Sequence, residues 1–144
     1  TIENNLRRVI IEESPTNPMY YEKMSVLLDE LIKRRRKAAL EYEKYLNEII
    51  ALSRKVKKPN TATEYPASLK KKEKRALYDN LGKNEELAIE LDHKIMTTKK
   101  DVWRDNKIKT REVEYAIKEV LDTFQIKEPE AAYIVELVKN QKDY

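Results

Sequence analysis

Residues 17–57, NPMYYEKMSVLLDELIKRRRKAALEYEKYLNEIIALSRKVK, decide the fold class. Asn17-Pro18 is a helix start signal. The Asn side chain can accept a first-turn N–H, and proline at the first helical position lacks only an N–H that would have no partner there. From Met19 to about Lys57 neither glycine nor proline interrupts the pattern. Met24, Leu28, Leu31, Arg35, Ala38, Tyr42, Tyr45, Ile49, Leu52 and Val56 recur at alternating four- and three-residue steps, the spacing of one helix face. The spacing predicts one continuous helix over about 18–57, on the order of 60 Å long at 1.5 Å per residue.

Working outward, residues 4–13 read as a short helix carrying Leu6, Val9, Ile10 and Ile11, ended by Ser14-Pro15 because the residue before proline is pushed out of the α region. On the other side Pro59 stops the long helix, and residues 58–67 read as a flexible loop. Ser68 is a candidate cap for a helix running to Leu81, with Gly82 placed for a left-handed C-terminal cap. Asn84 opens the next helix, with Leu87, Ala88, Leu91, Ile95 and Val102 as its buried stripe. Trp103-Arg104-Asp105-Asn106 breaks the periodicity. A helix from about Thr110 to Thr123 buries Val113, Ala116, Ile117, Val120, Leu121 and Phe124, and Pro129 begins the last one, which contains Ala132, Tyr133, Val135 and Leu137. The expectation is an all-α, irregular bundle of about six helices in one domain, 1–144, around the long helix.

Composition agrees. Of 144 residues 39% are charged and 40% apolar, and glycine occurs once, too few turn glycines for a strand-rich fold. Without cysteine there is no disulfide framework and no thiolate metal site. No apolar run approaches the roughly 20 residues of a membrane span, and no signal peptide opens the chain, so a cytoplasmic location without membrane contact is expected. A start at Thr1 suggests a piece of a longer polypeptide. A single glycine cannot build a glycine-rich phosphate loop. The one histidine, His93, falls opposite Leu87, Leu91 and Ile95, toward solvent. Paired acids such as Glu12-Glu13, Asp29-Glu30 and Glu85-Glu86 suit helix surfaces and first turns. No catalytic residue, metal site or cofactor is expected in this segment.

Three cationic runs stand out: Lys33, Arg34, Arg35, Arg36 and Lys37; Arg54, Lys55, Lys57 and Lys58; and Lys70, Lys71, Lys72, Lys74 and Arg75. Such runs commonly form solvated faces balanced by neighbouring acids. Five consecutive cations, however, cover every face of a helix at 100° per residue. Arg35 therefore falls on the apolar seam, where it either pairs with a carboxylate from another helix or faces a partner. A hairpin at the proline-bounded loop would bring the second and third runs together. Nothing in them reads base edges, so contact with double-stranded DNA through them would be independent of sequence.

Two groups of residues carry a family resemblance. Arg75-Ala76-Leu77-Tyr78-Asp79-Asn80-Leu81, then Glu85-Glu86-Leu87-Ala88 and Asp92, then Trp103-Arg104-Asp105-Asn106 and Ala116-Ile117, resemble the C-terminal segment of the motor (restriction) subunit of type I restriction-modification enzymes. Glu12-Glu13-Ser14-Pro15, Asn17-Pro18 and Tyr20-Tyr21-Glu22, with Leu27 and Leu31, resemble the segment preceding it. The resemblance implies a parent protein that is an ATP-driven DNA translocase and endonuclease, whose ATP and magnesium belong to domains upstream. For this segment it implies docking onto the methyltransferase and specificity subunits and onto the upstream domains, along the DNA path. Tyr78, Asp79, Asn80, Trp103, Arg104 and Asn106 are then either subunit contacts or structural anchors. A purely structural docking domain or adaptor without DNA contact is the alternative.

Overall fold

The computed structural model describes residues 1–37, 41–57 and 65–144. Among these residues the chain is all-helical, with no strand and seven α-helices. They are α1 (Ile2–Glu13), α2 (Pro18–Arg36), α3 (Tyr42–Lys57), α4 (Lys72–Asn80), α5 (Glu85–Thr98), α6 (Lys107–Thr123) and α7 (Glu130–Lys139). Where the sequence suggests one domain around one core, the described residues gather into two compact units, Thr1–Glu64 and Tyr65–Tyr144, each with its own apolar cluster. Of the expected loop at 58–67, residues 58–64 lie outside the described residues, while Tyr65 packs on the core of the second unit.

The single long helix over 18–57 is corrected. Helix α2 ends at Arg36, and α3, beginning at Tyr42, runs back along it. The Tyr20 hydroxyl donates to the Lys55 carbonyl at 2.6 Å and Arg34 meets Glu48 at 2.7 Å, a register possible only for antiparallel helices. The reason is burial. Extended, the seam would face water along its whole length. Folded back, Met24, Leu28 and Leu31 bury with Tyr45, Ile49, Leu52 and Val56. Each side chain of this kind contributes about 1.5–3 kcal/mol when fully covered. Helix α1 closes the first unit by laying Leu6 and Ile10 on the pair.

The start signal at Asn17 operates as read: its side chain accepts the Tyr20 N–H, with Pro18 in the first helical position. Asn84 likewise caps α5 through the Leu87 N–H, and Gly82 takes a left-handed φ of +66° just after α4. Ser68 is not a cap. Helix α4 starts four residues later, at Lys72, and the Ser68 hydroxyl donates to Glu85 instead. The buried Leu69 occupies the turn between. In the second unit α5 packs along α6, with α4 on α5 and α7 against α6 and α4. The core there is Leu77, Leu87, Leu91, Ile95, Ile117, Leu121, Ile134 and their neighbours. Val102, expected in the stripe of α5, is instead 68% exposed in the turn after it.

Candidate functional site

The first cationic run forms the last turn of α2 and the residue after it, where positive side chains complement the negative end of the helix dipole. Its members then part. Arg34 pairs with Glu48 at 2.7 Å. Arg35 takes the first of the two routes open to it: it reaches Glu3 of α1 at 3.2 Å and lies 5.1 Å over the Tyr45 ring, whose hydroxyl also donates to Glu3. Burial and that hydrogen bond to Glu3 push the Tyr45 phenol up to about 12. Lys33, Arg36 and Lys37 are exposed and have no ion-pair partner among the described residues.

Arg54, Lys55 and Lys57 are exposed in the last turn of α3, so antiparallel packing puts them at the opposite end of the pair from the first run. Lys58 lies outside the described residues. The third run divides as the first does. Lys70 and Lys71 are exposed ahead of α4, and Lys72 is half-buried. Lys74 approaches Asp92 at 3.8 Å. Arg75 donates to the Leu69 carbonyl at 2.7 Å and lies 4.9 Å from the centre of the Tyr65 ring. The expected meeting of the second and third runs depends on residues 58–64, which are not among those described.

Of the residues that carry the family resemblance, the group from Arg75 to Ile117 belongs to the second unit and the group from Glu12 to Leu31 to the first. Tyr78 is half-buried, edge-on to Tyr65 at 5.9 Å, and Asp79 accepts the Tyr65 hydroxyl. The Asn80 amide donates to the Ala76 carbonyl at 2.7 Å, and its oxygen accepts the Tyr133 hydroxyl at 2.8 Å, tying α4 to α7. Asn106 caps α6, accepting from Ile108 and Lys109 at 3.0 Å each.

Trp103 and Arg104 form a clasp. Trp103 is buried in a single helical turn entered through Val102, whose φ of 56° is a strained value for a β-branched residue. Its indole N–H donates to the main-chain oxygen of Tyr144 at 3.1 Å. Arg104 stacks on the indole at 4.6 Å and distributes its guanidinium over the carbonyls of Lys139 (3.2 Å), Gln141 and Tyr144 (3.1 Å). These carbonyls at and beyond the end of α7 lack partners within the helix, so the guanidinium serves as its cap. Lys99 reaches the same Tyr144 oxygen at 3.5 Å. Sequence reading gave Tyr144 no role. It is buried, its hydroxyl donates to the buried Asp92, and that burial drives its phenol far above the ordinary range. An aromatic beyond the last periodic helix left no pattern to find it by.

Among the described residues no group of three or more His, Asp or Glu side chains is placed to hold a metal ion, and no helix is long and apolar enough to cross a membrane. His93 is exposed, as its helical phase predicts. Comparison with known protein families, with curated proteins and with solved structures returned no match.

Proposed function

We propose that the chain is a non-catalytic module from the C-terminal region of a type I restriction motor subunit, working in the cytoplasm. On this reading it docks that subunit onto the methyltransferase and specificity core and touches the backbone of double-stranded DNA without reading sequence. ATP, magnesium and the nuclease chemistry belong to upstream domains. The observation that carries the reading is a division of labour among polar residues. Tyr78, Asp79, Asn80, Trp103, Arg104 and Asn106 hold the second unit together, while Lys33, Arg36, Lys37, Arg54, Lys55, Lys57, Lys70 and Lys71 stay on the surface. A module that positions others needs a stiff frame and accessible charge.

The test is the triple variant K33E/R36E/K37E, scored by retention of a short duplex of arbitrary sequence across a salt series. Each lost phosphate contact lowers the slope of log affinity against log salt by about 0.9, so the expected drop is roughly 2–3 with no change in sequence preference. A parallel reversal at Lys70 and Lys71 should act in the same direction. Unchanged retention in both removes the DNA contact. That outcome belongs to the second reading, a purely structural docking domain, favoured by the internal pairing of Arg34 with Glu48, Arg35 with Glu3 and Lys74 with Asp92. Deleting the segment from a full-length subunit separates assembly from ATPase activity; loss of ATPase with assembly intact contradicts docking.

A further inference from the structure

An antiparallel helix pair has two long grooves. In the first unit α1 packs over one, burying Leu6 and Ile10 against α2 and α3. The other is open. It encloses about 250 Å³ over a floor of Leu27, Leu31, Ala51 and Leu52, with the Arg34–Glu48 pair and Lys55 on its rim. Leu27 is only half-covered and Ala51 is exposed. The lining is apolar enough to take an aliphatic side chain, and a fourth helix laid there would complete a four-helix bundle.

Charge identifies the occupant. On the rim Arg34 is matched by Glu48, so the uncompensated charge is that of Lys55, which has no acid partner among the described residues. Glu48, Ala51 and Lys55 line the groove, and Lys44, four residues before Glu48, continues their stripe of α3 past its end. Lys44 is also exposed and without an ion pair among the described residues. The two lysines stand eleven residues apart, roughly 16 Å along the helix axis.

We propose that this groove docks an amphipathic α-helix of a partner protein, with aliphatic side chains entering over Leu27 and Leu52 and carboxylates about eleven residues apart meeting Lys44 and Lys55. The apolar floor supplies attraction; the two charge pairs fix register and partner choice. The inference deepens the docking part of the proposed function and rests on it.

The experiment uses the whole chain and two synthetic helical peptides with an identical leucine stripe. One carries glutamates flanking the stripe at the eleven-residue spacing, the other lysines at the same positions. Fluorescence anisotropy should show the glutamate peptide binding at least ~10-fold more tightly. K44E/K55E should invert that order. A51E, at an exposed helical position, should weaken both peptides with the helical circular dichroism intact. Equal binding of the two peptides, or binding of neither, overturns the proposal. So does a dimer in sedimentation that A51E converts to monomer, which assigns the groove to a second copy. Duplex retention lost in K44E/K55E without peptide binding would assign it to nucleic acid and also overturn the proposal. If the peptide binds as expected while deletion of the segment leaves the parent complex assembled, the docking reading fails and the groove assignment stands. If deletion abolishes assembly and the peptide does not bind, the groove fails alone.

Discussion

Replacing Arg104 with alanine tests the clasp that ends the second unit. The guanidinium donates to the carbonyls of Lys139, Gln141 and Tyr144 and stacks on Trp103 at 4.6 Å. A hydrogen bond to a charged group contributes about 1.5–3 kcal/mol. Three from one guanidinium do not add, because once it leaves, water reaches carbonyls at a partly open surface. The stack adds about 0.5–1 kcal/mol. The expected loss for R104A is therefore about 2–3 kcal/mol. A domain of this size shifts by roughly 4–8 °C per kcal/mol, so unfolding of the second unit should fall by roughly 10–20 °C. Thermal circular dichroism, with amide exchange at Leu137 and Val138 to assign the change to α7, reads it directly. Lysine presents a point charge rather than a fork, so R104K should recover less than half. Trp103→Phe removes a second donor to the same Tyr144 oxygen, leaving Lys99 as the third. The double variant should then show coupling of about 0.5 kcal/mol or more. A shift for R104A below about 2 °C, or strict additivity with Trp103→Phe, would refute the claim that the two side chains act as one cap.

Two further outcomes follow from named contacts. The phenols of Tyr21 and Tyr45 are both raised to about 12, by burial first, then by the Glu13 charge for Tyr21 and the Glu3 hydrogen bond for Tyr45. The unfolded chain sheds these protons from 10.0 upward while the folded chain holds them, so their contribution is full below pH 10 and is lost as pH rises to about 12. The urea midpoint of the first unit should fall across that window, and E3Q should bring Tyr45 ionisation to lower pH in a phenolate absorbance titration; a flat midpoint contradicts this. Asn106→Ala removes two capping bonds of 3.0 Å from α6 and should cost about 1 kcal/mol in chemical denaturation, with Asn106→Asp near wild type.

What could be read locally was read from short-range rules. A cap is a contact within one turn, so Asn17 and Asn84 were visible, as was Gly82, whose φ of +66° an L side chain resists. The stripes of Leu87, Leu91 and Ile95 and of Val113, Ile117 and Leu121 lie buried as their spacing predicts. Arg35 was visible as a conflict, a charge in phase with apolar residues, but the choice between partner and surface was not. That depended on Glu3, far away in the chain, arriving on α1.

The sequence by itself determined the all-helical class, because periodicity and the lack of glycine act residue by residue along the chain. It did not determine where the chain reverses. The seam of residues 24–56 has the same phase in one rod as in two, and the sequence from Arg36 to Tyr42 contains neither glycine nor proline. Tertiary structure settled that, because an apolar stripe gains by meeting another stripe and the cheapest one in reach was its own second half. It also settled the fate of the conspicuous polar residues. Asn80 ends a helix and Trp103-Arg104 sit where the periodicity breaks; neither stretch says anything of Tyr133 or Tyr144, and only folding brings those partners to them.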